Sequence, residues 1–137
     1  MEIDGIDKRI LAILRENSRA HNVDVAAKVG LTEGAVRNRI EKLVKSGIVT
    51  RFTVETSSGE GVVYGVVMLK AKGSTKKMMR EVSSLHIGRD AFEISGEFDG
   101  CVVLEADSIS SLDTKIEQIR KCHDVGDTRT FVAVKKW

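Results

Sequence analysis

Proline is absent, so no helix is kinked for want of an N–H and no cis prolyl bond needs a place. Cysteine is scarce. Cys101 and Cys122 stand 21 residues apart, with no CxxC spacing and no histidine-rich neighbour. That pattern argues for two reduced, buried thiols, with a disulfide or redox switch as the alternative. No apolar run approaches the roughly 18 residues of a membrane span. The N-terminus, MEIDGIDKR, is charged from its second residue, which does not fit a secretory signal. A cytoplasmic protein without membrane contact is expected. Catalytic machinery is missing as well. No nucleophile–base–orienter set and no metal-ligand spacing is found, and GEG and GEFDG are too short for a nucleotide loop. The sequence therefore offers no catalytic residue, metal or cofactor.

Apolar residues make up 42% of the chain, enough to pack a core and too many for disorder. The length of 137 residues suits one domain or two small ones. Net charge is +2 but unevenly spread. Residues 1–53 hold ten Lys/Arg against seven Asp/Glu, whereas residues 54–137 hold twelve against thirteen. Between Glu33 and Arg51 five basic residues face two acidic ones. A local basic stripe of this kind suits a duplex binder that relies on one helix.

Three helices are expected in the first half. Asp4 can cap the first, Asp7 suits the positive end of its dipole, and Ile6, Ile10, Ile13 and Leu14 form its stripe. The second starts at Asn22, taken as its cap, buries Val25, Ala26 and Val29, and ends at Gly30. Leu31 then plugs the corner. The third begins at the cap Thr32, with Val36, Ile40, Leu43 and Val44 inward and Gly47 as its stop. Gly34, Arg37, Asn38, Glu41 and Lys45 fall on the opposite side. IVTRFTVET follows with strand-like alternation.

A short helix, a glycine turn and a basic second helix make a helix-turn-helix, whose second helix fits the major groove. Glu33, Gly34, Arg37 and Asn38 lie toward its N-terminal end, where base edges come within reach. Arginine can donate twice to guanine, and asparagine can exchange a pair with adenine. Gly34 permits close approach. Arg39, Lys42, Lys45 and Arg51 read as phosphate contacts, although Arg39 lies near the buried edge and could instead pair with a carboxylate inside the domain. Thr32 belongs to the same surface. The bland alternative for the charge run is the solvated face of a surface helix.

SSGEG at 57–61 is the best break. The expected division is residues 1–50 as the helix-turn-helix domain, 51–61 as a linker strand and turn, and 62–137 as a second domain. There, VVYGVVMLKA, DAFEIS, CVVLEA and TRTFVAVKK read as strands. STKKMMREVSSL is a helix with Met78, Met79, Val82 and Leu85 inward. DSISSLDTKIEQIRKC is another, with Ile109, Leu112, Ile116 and Ile119 on one face. The order β-α-β-β-α-β is the ferredoxin-like arrangement, so the fold class is α+β. The first strand is apolar on both sides, Val63, Val67 and Leu69 against Val62, Val66 and Met68. We therefore expect the helix-free sheet face to pack on a second copy, giving a symmetric dimer with two reading helices and a pseudo-palindromic operator.

The chain resembles the Lrp/AsnC family of bacterial and archaeal transcription regulators. The likeness is carried by IDKRILAILRENSRAHNVDVAAKVGLTEGAVRNRIEKLVKSGIVTRF in the first half, and by ISGEFDGCVVLEADS and VGDTRTFVAVKKW in the second. It implies a winged or extended helix-turn-helix joined by a strand to an effector-binding and dimerisation domain. It also implies homodimers, in some members octamers of four dimers, and in many a free amino acid as effector. The family's ligand turn corresponds to Gly96, Glu97, Phe98 and Asp99, and its threonine pair to Thr128 and Thr130. Asp99 can accept from an ammonium, exposed turn N–H groups can hold a carboxylate, and threonines at i, i+2 share one wall. A plain hairpin turn beside ordinary strand residues is the alternative. Phe98 stands where the family often has tyrosine, and the preceding loop lacks a common proline, so His86 or Arg89 could shape that wall instead. Two other functions fit the same plan. One is a DNA-binding regulator without a ligand. The other is an enzyme like those that decarboxylate sirohaem, disfavoured by the scattering of His21, His86 and His123.

Overall fold

The computed structural model describes residues 1–57 and 61–137. The expected break at SSGEG therefore falls largely on residues 58–60, outside the described residues. The chain divides into two compact units, Met1–Thr56 and Ser57–Trp137. Among the described residues no helix is long and apolar enough to cross a membrane.

The first unit is built of α1 (Gly5–Glu16), α2 (Asn22–Val29) and α3 (Glu33–Lys45). Asp4 caps α1: its side chain accepts from the Asp7 N–H at 2.8 Å while the Asp7 carboxylate accepts from the Asp4 N–H at 3.2 Å. This reciprocal box satisfies two of the N–H groups that a helix start leaves unpaired. The start of α2 differs from expectation. Asn22 is its first helical residue and His21 stands at the cap position without a side-chain bond. Val25 N–H already donates to His21 O at 3.1 Å, so the ladder begins one residue early. Gly30 ends α2 at φ 73°, a left-handed conformation that glycine accepts without a Cβ penalty. Thr32 then caps α3 by accepting from the Ala35 N–H at 3.2 Å.

Ile10, Val25, Ala26, Val29 and Val36 form the core of this unit, with Ile6, Ile13, Leu14, Leu31 and Ile40 packed around it. Leu43 is also fully buried. Each such aliphatic side chain contributes about 1.5–3 kcal/mol by leaving water. Val44 does not join them and is 43% exposed. At 100° per residue it stands roughly 80° around the helix from Val36, on the shoulder of the stripe rather than its centre. Residues 48–57 form no strand. The alternation is present, with Phe52 and Val54 exposed, but a strand needs a ladder, and this unit contains no second strand among the described residues.

The second unit runs β1 (Val63–Ala71), α4 (Thr75–Ser84), β2 (Gly88–Glu93), β3 (Gly100–Ala106), α5 (Ile109–Arg120) and β4 (Val125–Val132). The sheet order is β2-β3-β1-β4 and every pairing is antiparallel. Ser74 and Ser108 cap α4 and α5. Val67, Leu69, Val102 and Leu104 point to the helices and meet Met78, Val82, Leu112, Ile116 and Ile119. Ile109 does not join that face and is 61% exposed. It is the first residue of α5, with no preceding turn to hold it against the sheet. Gly100 opens β3 directly beneath α4. A Cβ there would lie 2.6 Å from Met79 Sδ and 3.2 Å from Met78 Cε.

The helix-free face carries Tyr64, Val66 and Met68, aligned with Cys101, Val103 and Glu105 on β3 and with Arg129 and Phe131 on β4. Phe92 and Phe131 are each about half exposed there.

Candidate nucleic-acid interface and effector turn

Helix α3 presents Gly34, Arg37, Asn38, Glu41 and Lys45 within about 100° of arc, opposite the buried Val36 and Leu43. Thr32, Glu33, Lys42 and Arg51 are exposed as well. Eight of the nine expected contacts are thus solvent-exposed. Arg37 is held by Glu33 one turn earlier, Nη2 to Oε1 at 2.6 Å. Both side chains are about half exposed, so the pair itself adds little stability. Its effect is to park the guanidinium at the N-terminal end of the reading face. No atom lies within 4 Å of the site where Gly34 would carry a Cβ.

Arg39 is the exception. Its Nη1 donates to Asp4 at 2.7 Å and to Asp7 at 2.8 Å, and its side chain is 30% exposed. Asp7 is nearly sealed, with 4% of its side chain exposed. The phosphate role expected for Arg39 is therefore corrected to the internal pairing. A guanidinium that closes the only buried carboxylate among the described residues is not free to leave for solvent. The Asp7 backbone N–H, and after it Arg39, hold the Asp4 carboxyl below its ordinary value. The cluster ties the start of α1 to the middle of α3.

Open space around Gly34 gives a sharp expectation. Gly34→Ala should raise the thermal stability of the unit by about 0.8 kcal/mol, the helix-propensity difference. It should also weaken operator binding, because a methyl group then meets the groove floor. Calorimetry and anisotropy on the same preparation check the pair. Unchanged or tighter binding would mean that Gly34 does not lie against a base.

The expected effector residues come to one end of the sheet, on two sides of it. The turn Gly96–Asp99 leads into β3, and Asp99 is tied to the end of β1. Its N–H donates to Leu69 O at 2.8 Å and its Oδ2 accepts from the Ala71 N–H at 2.9 Å. One carboxylate oxygen is thus committed to backbone. Thr128 and Thr130 are half-buried on β4, aligned with Leu69 and Val67 and so facing the helices. Arg129 between them takes the other face, lies 5.2 Å over the Phe98 ring and 3.9 Å from Glu97. Sequence reading passed over Arg129. Its signal was present in TRT, a cation alternating with the two threonines. His86 adopts φ 52°, and Arg89 lies 3.5 Å from Glu105 and over Tyr64. Both cysteines are free, and burial pushes both thiols above their ordinary value, which keeps them poor nucleophiles.

Residues 3–50 match the family model described as winged helix-turn-helix DNA-binding. Along 99% of its length the chain is 30% identical to the HTH-type transcriptional regulator LysM of Sulfurisphaera tokodaii, covering 98% of that protein. It is 27% identical to the leucine-responsive regulatory protein of Rhizobium meliloti, over 99% of this chain and 92% of the relative. The fold matches that of E. coli AsnC, with a TM-score of 0.65, 22% identity and coverage of 99% and 95%. It also matches the regulator NMB0573 of Neisseria meningitidis, solved as an L-Met complex, with a TM-score of 0.69, 20% identity and coverage of 98% and 92%. With a capped reading helix ahead of a ferredoxin-like sheet, and likeness to such regulators from end to end, the chain belongs to the Lrp/AsnC family of helix-turn-helix transcriptional regulators.

Proposed function

We propose that the protein reads a pseudo-palindromic operator as a homodimer in the cytoplasm, and that an amino-acid-like effector changes its assembly or its DNA affinity. The observation that carries the DNA reading is the exposed arc of α3, where Arg37 and Asn38 supply paired donors and acceptors and Lys42 and Lys45 supply charge. A second copy on the helix-free sheet face would cover Val66, Met68, Phe92 and Phe131 and set two copies of α3 on one duplex. Selection from random duplex tests this: recovered sites should show inverted half-sites spaced by about one helical turn or a multiple. Unrelated sequences with no two-fold pattern would sink the dimeric reading. Assembly beyond the dimer, to an octamer of four dimers, would follow from contacts between dimers.

The effector reading is supported by the neighbour solved with L-methionine, and by the turn Gly96–Asp99 lying near the Thr128–Thr130 stretch. Asp99 has one oxygen left for an ammonium. A thermal-shift screen of the twenty amino acids should return a stabiliser, worth about 2.7 kcal/mol at a hundredfold excess over Kd. Asp99→Asn keeps an acceptor for the Ala71 N–H but removes the charge. It should leave the melting temperature of the unliganded protein nearly unchanged and lower effector affinity at least about tenfold, a loss of one charge-assisted bond. An Asn variant that responds fully would remove Asp99 from the site. If no amino acid stabilises the protein or alters operator binding, the regulator works without such a ligand.

A further inference from the structure

Residues 57–137 contain twelve basic and twelve acidic residues, so this unit is neutral, but its charge is segregated. Residues 72–80, KGSTKKMMR, hold Lys72, Lys76, Lys77 and Arg80 and no acid. All four side chains are exposed. Helix α4 buries Met78 and Val82, with Met79 and Leu85 partly covered. At 100° per residue that leaves Lys76, Lys77 and Arg80 within about 100° of arc on the outer face, with Ser83 and Ser84. Lys72 lies in the turn just before it. Lys70 belongs to the other side of the sheet.

None of the four makes an ion pair among the described residues, although helical pairs form elsewhere, Glu33–Arg37 and Glu117–Arg120. The only acid on α4 is Glu81. Its carboxylate accepts from the backbone N–H groups of His123 and Asp124, and so serves the turn before β4. Helices α1, α2 and α3 carry Asp7, Asp24 and Glu33 in their first turns, where the dipole favours an anion. The first turn of α4 carries Lys76 and Lys77. Apart from a distant attraction between Lys77 and Asp124, cations placed there oppose the helix dipole and repel one another.

We propose that the outer face of α4, with Lys72, is a second duplex-contacting surface that holds phosphate backbone beyond the operator half-site. The face presents cations and hydroxyls without an amide or carboxylate to read adenine or cytosine, so its contribution is assigned to affinity rather than to sequence. A duplex is the polyanion that this chain already gathers through α3, and a second contact on a tethered unit acts at high effective concentration. A membrane surface fits less well. Interfacial helices pair their cations with an apolar face, and that face of α4 is spent on the core.

The test uses the full chain and a triple variant, Lys76→Gln, Lys77→Gln, Arg80→Gln, with melting temperature checked first. Anisotropy is followed across a salt series on two duplexes, the operator alone and the operator embedded in several further helical turns. On the long duplex the slope of log affinity against log salt should fall by up to about 2.7 for each protomer engaged, or about 0.9 for each lost phosphate contact. On the short duplex the two proteins should match. The charge-keeping triple Lys76→Arg, Lys77→Arg, Arg80→Lys should restore the long-duplex slope. Equal slopes on the long duplex overturn the proposal. So does a variant that keeps its DNA slopes but changes mass by light scattering, which would make the face a contact between copies. Loss of pelleting with phosphatidylserine vesicles, with DNA slopes intact, would assign it to a lipid surface instead.

Discussion

Asp7→Ala is expected to cost the DNA-binding unit about 3 kcal/mol, the range for removing a buried, charged hydrogen-bonding group with two partners. Asp7 is the closing member of the α1–α3 cluster, accepting from Arg39 at 2.8 Å and from the Asp4 N–H at 3.2 Å. Its loss leaves Arg39 leaning on Asp4 alone, which is half exposed. In a unit this small, 1 kcal/mol shifts the midpoint by about 4–8 °C, so the transition of this unit should fall by more than ten degrees. Calorimetry that resolves two transitions checks it, and the transition of the sheet unit should not move. If the first midpoint moves by only a degree or two, the cluster is ornamental. The same construction explains why Arg39 should not enter the salt slope for DNA. Substituting it should lower stability and sequence preference without removing a phosphate contact.

The second large effect concerns recognition. Arg37→Ala should weaken operator binding by about 1–3 kcal/mol, roughly 5- to 150-fold, and relax preference at one base pair in each half-site. Lys45→Ala on the same face provides the contrast. It should weaken all sequences alike and reduce the salt slope by about 0.9 per site. Arg37 reaches a base only by leaving Glu33, so the measured loss is the difference between two partners for one guanidinium. Binding to unselected duplex should therefore change far less than binding to the operator. Operator affinity that survives Arg37→Ala would remove this residue from base reading and shift attention to Asn38.

Much of this was legible in the chain. The caps at Asp4 and Thr32, and the glycines at 30 and 47, are local signals, and each marks a helix end by its own short-range chemistry. The alternation in β1 put Val67 and Leu69 on one side and Val66 and Met68 on the other because a strand has no other period, while the side that meets the helices is set by the packing. Partners far apart in sequence were not legible. Arg39 and Asp4 are separated by 35 positions, and no local pattern distinguishes an arginine facing phosphate from one facing a distant carboxylate. Asp99 looked free for a ligand because its bond to the Ala71 N–H depends on which strand ends beside it. Phe52 and Val54 have the alternation of a strand, but a ladder also requires a neighbour.

The contact beneath α4 divides the effector turn into a closed end and an open one. At Gly100 a Cβ would press on the ends of Met79 and Met78, so a side chain there has to displace both methionines from beneath the helix. Gly96, at the other end, meets nothing within 4 Å, and Glu97 is mostly exposed. If the proposed effector binds at this turn, a library built to retune its preference has its room at positions 97 and 98, and at Arg129 across from them.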